Sequence, residues 1–492
     1  MISTAIQQLV NYGLDTGLIL PDDEIYIRNQ LLMTMQLDDF TAPEGEVCYT
    51  DLESILKTLV DDAVARGVCA DNSTARDLFD TKLMGVLTPR PSIVRANFEE
   101  RYENEGPQAA TDWFYKFSQD TDYIRRYRIK RDLKWVTKTP YGDLDITINL
   151  SKPEKDPKAI AAAAHDTKKK YPQCALCMEN EGYKGRLGQA ARSNHRIIRM
   201  MIGGKQWGFQ YSPYAYFNEH CIFLYGEHEP MKINRQTLVN LVEIENTLPA
   251  YFVGSNADLP IVGGSMLAHE HYQGGRHVFP MMKATIKKEL HFEDYPAVKA
   301  GIVNWPMSDI RLTSADATQL IDLGTHIIDV WDHYSDESLN IKAFDGDTRH
   351  HTVTPIMHRD SEKYVLDLVL RDNNTSDKYP LGIFHPHEKL WHIKKENIGL
   401  IEVMGRAILP ARLKDELNEV KKFWLGAENK IADSHLPWAK KVQAKTKITK
   451  DNVDEVMEQE LANIFANVLE NAGVFKEDVA GQAGWDRFIK QL

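Results

Sequence analysis

The sequence predicts an α+β fold, with antiparallel sheets in the middle of the chain and helical segments before and after them. Three observations carry this reading: helical spacing of apolar residues in the part up to about residue 118, a switch to a period of two from residue 141, and a return of helical spacing beyond residue 450. A chain of 492 residues allows roughly three domains, or one large two-part enzyme with appendages.

Between residues 51 and 67 the apolar positions are Leu52, Ile55, Leu56, Leu59, Val60 and Ala63, one face of an amphipathic helix, with Gly67 placed to supply a left-handed C-terminal cap. That helix faces a core and carries no chemistry. From Tyr141 onward Leu144, Ile146, Ile148 and Leu150 alternate with Asp145, Thr147 and Asn149, so one face of a strand packs on a core, and Ser151-Lys152-Pro153 ends it. Further strands are expected at 221–225, rich in β-formers, and at 364–370, where Tyr364, Leu366, Leu368 and Leu370 share one face. At the C-terminus Val453, Val456, Met457, Leu461, Ile464, Phe465, Val468 and Leu469 return to helical spacing. A weak internal repeat is present: the triplet His269-Glu270-His271 has a counterpart in His385-Pro386-His387, each beyond an expected strand, which suits two related halves.

Lys plus Arg number 59 against 71 Asp plus Glu, a net charge of −12, with 43% hydrophobic and 26% charged residues. This is the composition of a soluble globular protein, with no general attraction to nucleic acid or to an anionic membrane, so a phosphate-bearing ligand needs a local site. Five Cys, an odd count over a long chain, argue against a disulfide framework and for a reducing compartment, the cytoplasm by default. No basic start followed by an apolar run opens the chain, and no stretch of about 18 apolar residues occurs, so neither a signal peptide nor a membrane span is expected.

Chemistry concentrates between Gly263-Gly264 and Gly274-Gly275, which flank His269-Glu270-His271-Tyr272-Gln273. Glycine pairs let a ligand approach backbone N–H groups closely. In an extended segment His269, His271 and Gln273 point to one side. An imidazole is a competent nucleophile at phosphorus near neutral pH, a backbone carbonyl can hold its other nitrogen in the right tautomer, and Gln273 can donate to a phosphoryl oxygen. The bland alternative is a His-rich surface turn. The second triplet has no preceding Gly pair and carries Lys389 where the Gln would stand, so the first is preferred for catalysis, while His387, His392, His350 and His351 could form a metal or substrate site in the second half. Cys174-Ala175-Leu176-Cys177 is a C-x2-C unit with the short bite of two corners of tetrahedral zinc, for which His228 and His269 are the best further ligands. A redox pair or two unconnected thiols are the competing readings.

Taken together, Cys-x-x-Cys, a His after a strand, and Gly-x-x-x-x-His-x-His-x-Gln resemble the histidine-triad superfamily and, within it, the galactose-1-phosphate uridylyltransferases. The resemblance tightens through Tyr141-Gly142-Asp143-Leu144, Ile146-Thr147-Ile148-Asn149-Leu150-Ser151-Lys152-Pro153, Glu179-Asn180-Glu181-Gly182-Tyr183, Pro260-Ile261-Val262-Gly263-Gly264-Ser265 and Lys394-Lys395-Glu396-Asn397-Ile398-Gly399-Leu400-Ile401-Glu402-Val403-Met404-Gly405, which look like the long form of Gram-positive bacteria. The resemblance implies two histidine-triad-like halves, at 126–295 and 296–430, and the helical spacing places helical regions before and after them, at 1–125 and 431–492. It implies transfer of UMP from UDP-glucose to galactose 1-phosphate in galactose metabolism, with glucose 1-phosphate and UDP-galactose as products, through a covalent uridylyl-histidine. By that likeness His271 is the nucleophile, Gln273 assists at the phosphate, and Cys174, Cys177, His228 and His269 hold a structural zinc. Loop N–H groups near Ser265 and basic residues such as Arg276 could stabilise charge on the equatorial oxygens, Asn256, which precedes the loop as an Asn does in the family, is the candidate contact for the uridine and diphosphate, and a homodimer is the assembly considered. Glu270 departs from the short form of the family, which has Pro between its two His. Another histidine-triad transferase, phosphorylase or hydrolase acting on dinucleoside polyphosphates is the alternative, and a non-catalytic zinc-stabilised sugar-nucleotide sensor is a third reading.

Overall fold

The computed structural model describes residues 2–151, 171–186, 188–264 and 266–492, in two compact units. The first unit comprises 1–130, 153–215 and 219–228; the second comprises 131–152, 216–218 and 229–492. The strands, in chain order, are β1 Leu133–Thr139, β2 Gly142–Ile148, β3 Ile198–Ile202, β4 Lys205–Tyr211, β5 Cys221–Tyr225, β6 Phe252–Gly254, β7 His271–Gly275, β8 Ile286–Leu290, β9 Lys299–Val303, β10 Asp309–Ser314, the short β11 Phe344–Asp345 and β12 Thr348–Arg349, then β13 His351–Asp360, β14 Lys363–Asp372 and β15 Arg406–Leu409.

Helices build most of the first unit, and their ends follow local chemistry. The Leu52–Ala65 helix begins at Asp51, whose carboxylate accepts the Ser54 N–H at 2.8 Å, a cap of about 1 kcal/mol. It stops where Gly67 takes φ +75°, with Val68 N–H returning to the Ala63 carbonyl at 2.8 Å. The Pro91–Glu105 and Pro107–Asp120 helices both start on proline, which lacks the N–H that a first turn leaves unsatisfied. Beside them β3, β4 and β5 form an antiparallel meander in which Phe209 pairs with Ile198 and with Phe223. Phe209 also meets Phe98 and Phe114 at ring distances of 6.2 and 5.6 Å, an aromatic core between helices and strands.

In the second unit the strands run β7-β6-β13-β14-β10-β9-β8, all neighbours antiparallel. A separate sheet, β1-β2-β15, joins a hairpin to a strand from much later in the chain, Ala407 lying parallel to Ile146. The Arg235–Thr247 and Ala317–His333 helices cover one face of the large sheet. The other face enters a core shared by Phe252, Ile356 and Val369 with Ile146 and Leu144 of the small sheet, the Leu400–Val403 turn and the Val453–Ala472 helix.

The expected strands are present: the first covers 142–148 and stops short of Leu150, and the others include 221–225 and 364–370. The last is buried on both faces, so the row opposite Leu366 and Leu368 is not solvated but carries Asp367, Val369 and Arg371. Period-two reading cannot separate a half-buried strand from a central one whose second face is filled by paired charges. No helix among the described residues is long and apolar enough to cross a membrane.

Candidate active site

His271 opens β7 and Gln273 follows two residues later, so both project to one face of the sheet. Gly254 of β6 is the register partner of Gln273, and its lack of a side chain matters: a Cβ there would stand 2.9 Å from the Pro355 carbonyl oxygen and 3.0 Å from Leu400 Cδ1. His269 lies in the bend before the strand, so it does not continue the His271–Gln273 row as an extended segment would have made it do. Its contribution to His271 comes from the backbone: His271 Nδ1 donates to the His269 carbonyl oxygen at 2.8 Å. A carbonyl accepts only, so the ring proton sits on Nδ1 and Nε2 carries the lone pair. Burial pushes the His271 pKa down to about 4, against the opposing pull of that carbonyl, and the imidazole is neutral at pH 7.

Asn256 is buried, and its carboxamide is held between two glycines. Its Oδ1 accepts the Leu400 N–H at 2.9 Å, while a Cβ at Gly264 would come within 2.8 Å of its Nδ2 and one at Gly399 within 3.2 Å of its Oδ1. Ser265 lies outside the described residues. Arg276, one residue past β7, lies with Tyr251 and Val278 on the wall of a cavity of about 550 Å³.

In the first unit Cys174, Cys177 and His228 come together. The two Sγ atoms are 3.5 Å apart and Cys177 Sγ is 3.3 Å from His228 Nδ1. Asn180 Nδ2 donates to both the Cys174 and Cys177 carbonyls, at 2.7 and 2.8 Å, and fixes the turn that presents the thiols. Burial, and then the hydrogen bonds and charge of Cys174, leave the Cys177 thiol at about 11, a group that needs a cation to ionise. Tetrahedral zinc with Zn–S near 2.3 Å sets sulfurs about 3.75 Å apart, so this donor set fits a metal.

The histidines of the second half do not make the site that the sequence allowed. His351 is a buried core ring, stacked on Trp331 at 4.0 Å and hydrogen-bonded to the Trp331 carbonyl and Asp372. His350 is held by Asn373, and His392 by His435 at 2.9 Å. His387 donates through Nε2 to the Ile383 carbonyl and stacks on Tyr379, so its ring is committed to loop structure. Each has a different partner because tertiary packing, not sequence proximity, satisfies a buried imidazole.

The family model for galactose-1-phosphate uridyl transferase, N-terminal domain, matches residues 18–230, and that for the C-terminal domain matches residues 244–440. The chain belongs to the galactose-1-phosphate uridylyltransferase family. A galactose-1-phosphate uridylyltransferase of Lactobacillus helveticus is 58% identical over 488 residues, 99% of this chain and 98% of that protein. One of Pediococcus pentosaceus is 55% identical over 470 residues, covering 96% of each chain. Galactose-1-phosphate uridylyltransferase 1 of Streptococcus pneumoniae serotype 4 is 48% identical over 492 residues, 100% of this chain and 99% of its own. In this member of the uridylyltransferase family, residue-by-residue reading missed the segment from Lys394 to Glu402. Lys394 Nζ meets Glu402 Oε1 at 2.6 Å in a buried pair, and the backbone between them supplies the N–H that fixes Asn256. The motif likeness flagged the segment; its partner 144 residues earlier is visible only in the fold.

Proposed function

We propose that this chain transfers a uridylyl group from UDP-glucose to galactose 1-phosphate through a covalent intermediate on His271. In the first half-reaction His271 Nε2 attacks the α-phosphorus, a P–N bond forms, and the P–O bond to glucose 1-phosphate breaks. In the second, a phosphate oxygen of galactose 1-phosphate attacks the same phosphorus, the P–N bond breaks and UDP-galactose leaves. Glucose 1-phosphate, the leaving group of the first step, is a sugar phosphate of low pKa, and the leaving group of the second is the neutral His271 imidazole, so the main demand is stabilisation of charge on the equatorial oxygens. Gln273, on the face of β7 that carries His271, is assigned that donor role, with the loop N–H groups near Ser265 and Arg276. Asn256, its Oδ1 engaged by Leu400, has Nδ2 to offer the uridine diphosphate.

The observation that carries the reading is the 2.8 Å bond from His271 Nδ1 to the His269 carbonyl, which leaves a neutral ring with its lone pair on Nε2. Intact mass spectrometry after mixing with UDP-glucose alone is the test: a uridylyl adduct on His271 supports the reading, and an unmodified chain rejects it. Zinc is proposed on Cys174, Cys177, His228 and His269, where four protein ligands would supply a closed, structural centre and no activated water. Residues 126–295 and 296–430 are proposed as the two histidine-triad-like halves, with a homodimer as the assembly and the cytoplasm as the compartment.

A further inference from the structure

Glu270, between the two histidines of the first triplet, has no part in the transfer just described, yet its backbone stands at the centre of the site. The peptide group that joins His269 to Glu270 is engaged at both ends: its carbonyl accepts His271 Nδ1–H at 2.8 Å, and its N–H donates to the Glu229 carbonyl at 2.7 Å. A planar peptide turns as one unit, so the bond on the N–H side fixes where the carbonyl points. Met231 N–H donates to the Leu267 carbonyl at 2.9 Å and lays the 267–270 segment along 229–231. The Glu270 side chain adds a second hold. Its Oε1 accepts the Tyr272 O–H at 2.8 Å, the phenol oxygen accepts from Asn240 Nδ2 at 2.9 Å, and Asn240 Oδ1 accepts from Gln236 Nε2 at 2.9 Å. Tyr272 stands between His271 and Gln273 on β7, so it projects to the opposite face of the sheet, where it is buried beside the Arg235–Thr247 helix. A hydrogen-bonded chain thus runs from that helix, behind the nucleophile, to the residue whose peptide group sets the nucleophile's tautomer. The second triplet gives an internal contrast: Pro386 has no N–H to give, and His387 is held through Nε2 by the Ile383 carbonyl.

We propose that Glu270 and Tyr272 are positioning residues for His271, holding the His269 carbonyl against Nδ1 so that the lone pair stays on Nε2; the proposal rests on the transfer reading above. A ring that places its proton on Nε2 cannot attack phosphorus. Glu270→Ala and Tyr272→Phe should each slow uridylyl adduct formation at saturating UDP-glucose about tenfold, with the UDP-glucose concentration for half-maximal rate unchanged and thermal midpoints checking the fold. Glu270→Gln, which keeps an acceptor for the phenol, should restore most of the rate. Histidine-selective nitrogen NMR of the full chain without substrate, with the His271 signals identified by their loss in His271→Asn, reads the tautomer directly. It should place the ring proton on Nδ1 in the wild type and share it with Nε2 in the Glu270→Ala and Tyr272→Phe variants. An unchanged tautomer or an undiminished rate in either folded variant, or a Glu270→Gln variant as slow as Glu270→Ala, would overturn the proposal. A wild-type chain that forms no adduct would reject the transfer reading instead, and the tautomer measurement would still decide this one.

Discussion

At His271 one hydrogen bond sets the chemistry. An imidazole whose Nδ1–H is engaged by a carbonyl can act only through Nε2, and burial keeps that nitrogen unprotonated at neutral pH. His271→Asn should therefore abolish both the adduct and turnover while the thermal midpoint stays near wild type. His387→Asn should still form the adduct, because His387 is bound to the Ile383 carbonyl and stacked on Tyr379. If the His387 variant alone loses the adduct, the wrong triplet has been assigned. Gln273→Ala should lower kcat roughly a hundredfold, the scale of one lost donor to a developing oxyanion, with KM changed much less. A variant altered only in KM would make Gln273 a ground-state contact.

At the scale of elements, the site depends on short segments held from a distance. β7 pairs antiparallel with β6, which fixes its register, and Gly254 opposite Gln273 lets Pro355 and Leu400 pack closely against the ladder. The Cys174–Cys177 turn is held by Asn180, which donates to both of its cysteine carbonyls. Protein purified without chelator should carry about one zinc per chain, and Cys174→Ser should lose most of it together with several degrees of thermal midpoint. A stable, active protein with no transition metal by elemental analysis would reduce Cys174 and Cys177 to ordinary thiols.

Over the whole molecule two triplets occur, and His271 of the first opens a strand with Nε2 as its basic nitrogen, whereas His385 and His387 lie in a loop. UDP-glucose should accordingly add one uridylyl group per chain, read as a single mass increment that galactose 1-phosphate then removes, and initial rates should follow ping-pong kinetics. Two increments would show that His385-Pro386-His387 is also reactive. The net charge of −12 is consistent with a protein that holds phosphate at a built site rather than by a general field.

What the sequence by itself determined was local: the apolar face and Gly67 stop of a helix, the bounds of β5, the two-residue spacing of His271 and Gln273, and the bite of Cys174 and Cys177. Each rests on periodicity, cap chemistry or bond geometry within a few residues, and the motif likeness to the family adds its specificity over most of the chain. The tertiary structure decided the rest. It sent His350, His351, His387 and His392 to separate partners, buried β14 on both faces around Asp367, and brought Leu400 to Asn256. The physical reason is common to all three: a buried polar group must find its partner wherever packing brings one, and packing joins residues far apart in the chain.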